Sequence, residues 1–255
     1  MTYGVDHAYS VARERAGAWF DPSVVLAAGA FRKDHAFWAA LRECPQAHLD
    51  QTLGAANHVH STDVRVDSVC DAFAGIVDAK SSFTAAHSRR VAKVAVGIAT
   101  QLELGPAAER RMYRAGLLHD LGKLAAPNLI LDKPGPLTEQ EFEVVQRHPF
   151  YTDQILRNIP GFARISETAA AHHEKLDGSG YHRGLLAESM NVEMRILAVA
   201  DIYDALAAER PYRSALPADR VHEILQRDAR YRLDADCVSA LTNQEINMRS
   251  SCGLV

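Results

Sequence analysis

Apolar positions in this chain recur at the three-and-four spacing of helices, and no stretch shows the period-two alternation of a half-buried strand. Val24-Val25-Leu26-Ala27-Ala28 and Phe37-Trp38-Ala39-Ala40-Leu41 read as short helical segments, the first opened by Asp21 as cap and Pro22 as first helical residue. From residue 69 the pattern strengthens. Val69, Phe73, Ile76 and Val77 predict one buried stripe, and Thr84 is placed to cap a helix carrying Val91, Val94, Ala95 and Ile98. Gly105-Pro106 divides that helix from the next, which is expected over 106–120 with Met112, Ala115, Leu118 and His119 near one face. The prolines between 125 and 136 exclude regular helix and predict an ordered loop. Thr138 to Glu141 has the form of a capping box, so a helix should run from there to Arg147-His148, where Pro149 starts another.

Further on, a helix over 165–171 leads into His172-His173-Glu174 and then a glycine-rich turn over 177–184. Residues 192–206 are apolar almost all round, the mark of a central buried helix. Helices over 217–229 and 235–247 close the chain, and a frayed tail is expected over 248–255. With no Gly-rich strand-to-helix loop either, the expected fold class is all-α.

Composition narrows the function. The chain has 255 residues, of which 47% are hydrophobic, enough for a sizeable core. A net charge of -4 and a pI near 6.3 provide no basic field for a nucleic-acid backbone, so no long nucleic acid is expected as partner. No apolar run reaches the ~18 residues that span a bilayer, and the start lacks a secretory pattern, so the expectation is a cytoplasmic protein without membrane association. Cys44, Cys70, Cys237 and Cys252 lack Cys-x-x-Cys spacing and read as inert thiols. The unusual figure is 12 histidines. His48, His58 and His60 fall in a polar stretch and read as solvated, whereas most of the others lie beside carboxylates or at the ends of apolar runs.

The most telling stretch is His119-Asp120-Leu121-Gly122-Lys123, directly after Ala115-Gly116-Leu117-Leu118. Ending a core element in three charged or titratable groups costs on the order of several kcal/mol unless something compensates. Asp201, in the middle of the central helix, is ligated, paired with a cation, or protonated. His87, taken alone, suits a core position; collected with His119, Asp120, His148, His172, His173 and Asp201 it makes five imidazoles and two carboxylates. That is too many donors for one tetrahedral zinc and suits two adjacent ions with mixed nitrogen and oxygen ligands. Iron is the first expectation, with manganese or another transition metal next. Neighbours on a helix diverge by ~100°, so His119 can hold one ion while Asp120 bridges to the second. Two metals ~3.5 to 4 Å apart suit phosphoester hydrolysis. Lys123, Arg210 and Arg213 are each either phosphate contacts or ordinary surface cations.

These pieces, with Lys133-Pro134-Gly135, His148-Pro149, Asp177-Gly178-Ser179-Gly180-Tyr181, Ala200-Asp201 and Arg210-Pro211-Tyr212-Arg213, resemble in order the HD-GYP subgroup of the HD metal-dependent phosphohydrolases. The resemblance covers about residues 67–247; residues 1–66 read as a small helical region of unknown role. It implies an HD-domain helical core with extra helices, a metal centre, and hydrolysis of cyclic di-GMP to pGpG or GMP. The seven collected residues match its metal ligands, and Asp120 and Lys123 match catalytic positions. Lys123, Tyr181, Arg210 and Arg213 match substrate-binding positions or the signature loop. Three-metal members have a glutamate where Phe83 stands, which implies two ions here. His182 replaces the proline of Gly-Tyr-Pro, a change that bears on loop shape and substrate choice rather than on the metals. A protein with a diguanylate-cyclase (GGDEF) domain and a second copy of the chain are the expected protein partners. The alternatives are another cyclic dinucleotide such as cyclic GMP-AMP, or a non-catalytic sensor.

Overall fold

The computed structural model describes residues 4–17, 20–43, 62–80, 86–209, 215–229 and 231–251. The chain divides into two compact units, 1–61 and 62–255. In the first, α1 (Val5–Glu14), α2 (Pro22–Ala30) and α3 (His35–Glu43) are short. Asp21 caps α2, its Oδ1 accepting from the backbone N–H of Ser23 at 2.7 Å. The Trp38 indole donates to the Phe31 carbonyl at 2.7 Å, which ties the start of α3 to the end of α2.

The second unit comprises α4 (Asp63–Lys80), α5 (His87–Gln101), α6 (Pro106–Leu118), a 3-10 turn (Leu121–Ala125) and α7 (Asn128–Leu131). It continues through α8 (Glu139–Gln146), α9 (His148–Leu156), α10 (Ala163–Ala169), a second 3-10 turn (Ala187–Ser189), α11 (Val192–Ala207), α12 (Ala218–Asp228) and α13 (Ala235–Ser251). Among the described residues there are no strands, only isolated bridges. The core is built where α5, α6, α11 and α13 meet, from Val91, Ile98, Met112, Leu117, Ile196, Leu197 and Leu241, all almost fully enclosed. Gly105, at φ 80°, makes the break between α5 and α6 that its sequence position predicts. The capping box at Thr138 and Glu141 forms in both directions.

Several expectations need correction. The buried face of α4 is Cys70, Ala74 and Val77, while Val69, Phe73 and Ile76 are 55%, 44% and 56% exposed. Small side chains permit close approach to α6, and Arg114 locks that register by bonding Asp67 at 2.6 Å and Asp63 at 2.9 Å. The residue before α5 is Ala86, in the left-handed region at φ 58° with no side-chain cap; Thr84 and Phe83 lie outside the described residues. α6 stops at Leu118, so His119 and Asp120 occupy the turn beyond it rather than its last helical positions. Residues 125–136 are not all loop, because α7 forms inside them. The final helix runs to Ser251, through positions expected to fray.

Candidate metal centre

The helix ends of the second unit converge. His87 is the first residue of α5, His119 and Asp120 follow α6, His148 opens α9, His172 and His173 follow α10, and Asp201 faces them from within α11. Two close approaches make this possible. A Cβ on Gly122 would sit 1.9 Å from the His148 carbonyl oxygen, so only glycine lets the turn after Asp120 lie against α9. Thr152 fastens the same joint, accepting from the Gly122 N–H at 2.9 Å and donating to the His119 carbonyl at 2.9 Å.

All seven sequence-predicted ligands meet in one place. His87, His119 and Asp201 form one set whose donor atoms lie within 4.8 Å of one another, and His148, His172 and His173 form another. Asp120 stands between them. Its Oδ2 is 3.4 Å from His119 Nε2 and 3.7 Å from His87 Nε2, while its Oδ1 is 3.3 Å from His148 Nε2 and 3.8 Å from His172 Nε2. Asp201 also reaches both sets, with Oδ1 3.4 Å from His87 Nε2 and Oδ2 3.6 Å from His173 Nδ1.

The donor chemistry fits divalent ions. The Nδ1–H groups of His119, His148 and His172 donate to the carbonyls of Gly116, Val145 and Ala169 at 2.8, 2.7 and 2.7 Å. Because a carbonyl only accepts, each neutral ring then turns a bare lone pair inward at Nε2. The Nε2 atoms of His148 and His172 are 3.0 Å apart, a repulsive contact for two lone pairs. It is also about the separation of two nitrogens bound at right angles to one ion with bonds of about 2.1 Å. Asp120 Oδ1 is buried without a hydrogen-bond partner, which leaves a carboxylate oxygen for a cation to satisfy.

Electrostatics divide the centre. Burial, reinforced by neighbouring imidazoles, holds His172 well below the usual histidine range, and burial with nearby Lys123 and His173 takes His148 down to about 3. Burial likewise lowers His173. Burial opposes charge on His87 too, but hydrogen bonds to Asp201 and Asp204 carry it up to about 9. Burial pushes Asp120 up, yet Lys123 and the imidazoles hold it well below the carboxylate range; for Asp201, His87 and His173 overcome burial in the same direction. Lys123 lies with its Nζ 2.6 Å from Asp120 Oδ2.

Asp204 was missed by sequence reasoning. It accepts from His87 Nδ1 at 2.7 Å and from Arg90 Nε at 2.6 Å, fixing the imidazole's orientation. Its spacing of three from Asp201 on one helix was the available signal. Glu174, quoted only as part of a motif, is fully buried and accepts the backbone N–H groups of Arg183 at 2.7 Å and Leu185 at 2.8 Å. It thereby pins the loop that carries Tyr181, whose ring packs at a tilt against His173 with centroids 4.7 Å apart. His182 is half-buried with its ring edge-on to Phe150. Arg210 and Arg213 lie outside the described residues.

Residues 71–237 match the family model for the HD domain. The chain belongs to the HD domain family. Within it the chain is of the HD-GYP type, and its all-helical fold is that of HD-GYP domains. It is 40% identical over 242 residues to the 3′3′-cGAMP-specific phosphodiesterase 3 of Vibrio cholerae, covering 94% of this chain and 53% of that protein. It is 35% identical over 207 residues to the cyclic di-GMP phosphodiesterase response regulator RpfG of Xanthomonas campestris, covering 80% of this chain and 54% of the relative. The crystal structure of a cyclic GMP-AMP specific phosphodiesterase from V. cholerae matches with TM-score 0.53 and 36% identity over 95% of this chain and 56% of that one. The chain thus spans about half the length of these relatives.

Proposed function

We propose that this chain is a metal-dependent phosphodiesterase that opens the ring of a cyclic dinucleotide. The observation that carries the reading is Asp120, whose Oδ2 lies toward His119 and His87 while its Oδ1 lies toward His148 and His172. His87, His119 and Asp201 would hold one ion, His148, His172 and His173 the other, with Asp120 spanning both. When bound, such a pair of ions, iron first and manganese or another transition metal next, supplies a nucleophile from water near neutral pH and clamps the oxygens of an in-line displacement.

The chain's own groups orient the substrate around that centre. Asp204 and the three backbone carbonyls keep the imidazole lone pairs aimed inward. Lys123, beside Asp120, places a positive charge where a phosphate oxygen arrives. Tyr181, packed on His173, bounds the substrate side. Arg210 and Arg213 add phosphate contacts in this reading.

Cyclic di-GMP is the substrate that the sequence pattern leads to, and the similarity to RpfG supports it. A second reading, 3′3′-cGAMP, is favoured by the similarity over 94% of the chain to the V. cholerae relative. Both are tested by loading the protein with Fe2+ or Mn2+ without oxygen, supplying each dinucleotide in turn and identifying the product. A linear dinucleotide or mononucleotide is expected. Both rings intact beside a fully loaded metal centre would overturn the proposal.

A further inference from the structure

A groove of about 510 Å3 opens beside the metal centre, and its lining is unlike the centre's own. Phe150, Tyr151, Tyr181 and His182 contribute aromatic rings, and Glu143 and Arg147 stand exposed at its lip. The rings form a chain of contacts. Phe150 meets Tyr151 with centroids 5.4 Å apart and His182 at 6.0 Å, while Tyr181, next to His182, lies 4.7 Å from His173. The groove therefore begins at a side chain already packed on a candidate ligand. Phe150 is 44% exposed, an aromatic face held open rather than buried in the core.

We infer that this groove is a subsite for one purine base of the substrate, and that Phe150, Arg147 and Glu143 set the preference for that base. The inference rests on the phosphodiesterase reading and adds where the base goes. A phosphodiester at the metal centre carries a nucleoside within reach of the adjacent groove. Flat aromatic walls match a flat heterocycle, because every base offers a π face for stacking. The polar lip supplies edge recognition: a guanidinium donates to the N7 and O6 acceptors of guanine, and a carboxylate accepts from its N1 and N2 donors. Adenine lacks that pair of donors, so the lip favours guanine. His182, standing where the signature loop resembles one with proline, puts a ring into the wall that proline could not supply.

The test separates base from phosphate. The full chain, loaded with Mn2+, is titrated calorimetrically with GMP and with ribose 5-phosphate, which has the phosphate and sugar but no base. Wild type should bind GMP more tightly than ribose 5-phosphate by on the order of tenfold to a hundredfold, the usual effect of losing one stacked base. Phe150→Leu, which retains apolar bulk, and Arg147→Ala, on the surface, should each erase most of that difference while ribose 5-phosphate binding stays the same. Glu143→Gln should weaken GMP more than AMP. Equal binding of GMP and ribose 5-phosphate by wild type, or a GMP advantage that survives both substitutions, would overturn the inference. Its failure is distinct from failure of the phosphodiesterase reading: a wild-type chain that leaves cyclic dinucleotides intact, yet loses its GMP advantage in Phe150→Leu, keeps the subsite and loses the reaction.

Discussion

The two halves of the metal centre solve the same problem in opposite ways. On one side His87 sits among carboxylates, bonded to Asp204 and close to Asp201, and is drawn toward the charged form with its pKa near 9. On the other side His148, His172 and His173 crowd against one another, and burial drives His148 down to about 3. In the metal-free protein the first half is internally neutralised: carboxylates, a His87 drawn toward its charged form and Arg90 satisfy each other. The second half is a set of inward lone pairs beside one orphaned carboxylate oxygen. In the proposed reading a cation offsets the cost of burying that imidazole cluster, while the carboxylate half also serves to hold the fold. Asp120 links the two, which is why the turn after α6 matters more than any single histidine.

The largest effect should come from removing that link. Asp120→Ala should lower hydrolysis of the dinucleotide by roughly a thousandfold or more, well beyond the ten- to hundredfold loss typical when only an orienting partner is removed. Rates of the variant with saturating metal decide this, and a loss of only a few-fold would mean that the halves work independently.

Pushing the halves apart should cost nearly as much. Gly122→Ala forces a Cβ into the His148 carbonyl, and with backbone on both sides the destabilisation should be about 3 kcal/mol or more. Urea unfolding measures it, and a change below about 1 kcal/mol would show that the turn and α9 do not need their close approach.

Asp204→Asn tests the carboxylate half alone. It retains shape but weakens the grip on His87 and leaves Arg90 with a neutral partner, so metal affinity should fall by about 10- to 100-fold. Competition with a chelator reads this directly; unchanged affinity would reduce Asp204 to a structural ion pair.

The effect most diagnostic of the contrast is on pH. In the metal-free protein His148 has a folded pKa below its unfolded value of about 6.5, so the stability it contributes is present above 6.5 and is lost as pH falls toward 3. His87 has the opposite sign: its contribution is complete below 6.5 and is lost as pH rises through about 9. Denaturant midpoints of the apo-protein should therefore peak between these limbs, and a monotonic profile would remove the contrast.

Much of this was legible in the chain, for identifiable reasons. Helix starts that depend on local chemistry, such as Asp21-Pro22, Gly105-Pro106 and the Thr138–Glu141 box, form where their residues predict because neighbouring atoms alone satisfy them. The residues that converge on the centre stood out because histidines and aspartates ending apolar runs are costly to leave unpaired. What was not legible depends on distant partners. The exposed Val69, Phe73 and Ile76 look like a core stripe until Cys70 and Ala74 are seen to pack closely under α6, a choice made by the partner helix and not by side-chain size. Asp204, apart from its spacing from Asp201, and Glu174 gave little signal because their value lies in bonds to a residue far along the chain or to a loop backbone. Arg210 and Arg213 lie outside the described residues, so their proposed phosphate contacts rest on sequence position.

The central claim, that two ions lie between the halves and share Asp120, is tested most directly by elemental analysis of the loaded protein alongside Asp120→Ala and His172→Ala. Two transition-metal ions per chain are expected in wild type, with His172→Ala retaining one and Asp120→Ala weakening both. Wild-type protein that holds no ion, or that holds metal at a ratio unaffected by either substitution, would contradict the account.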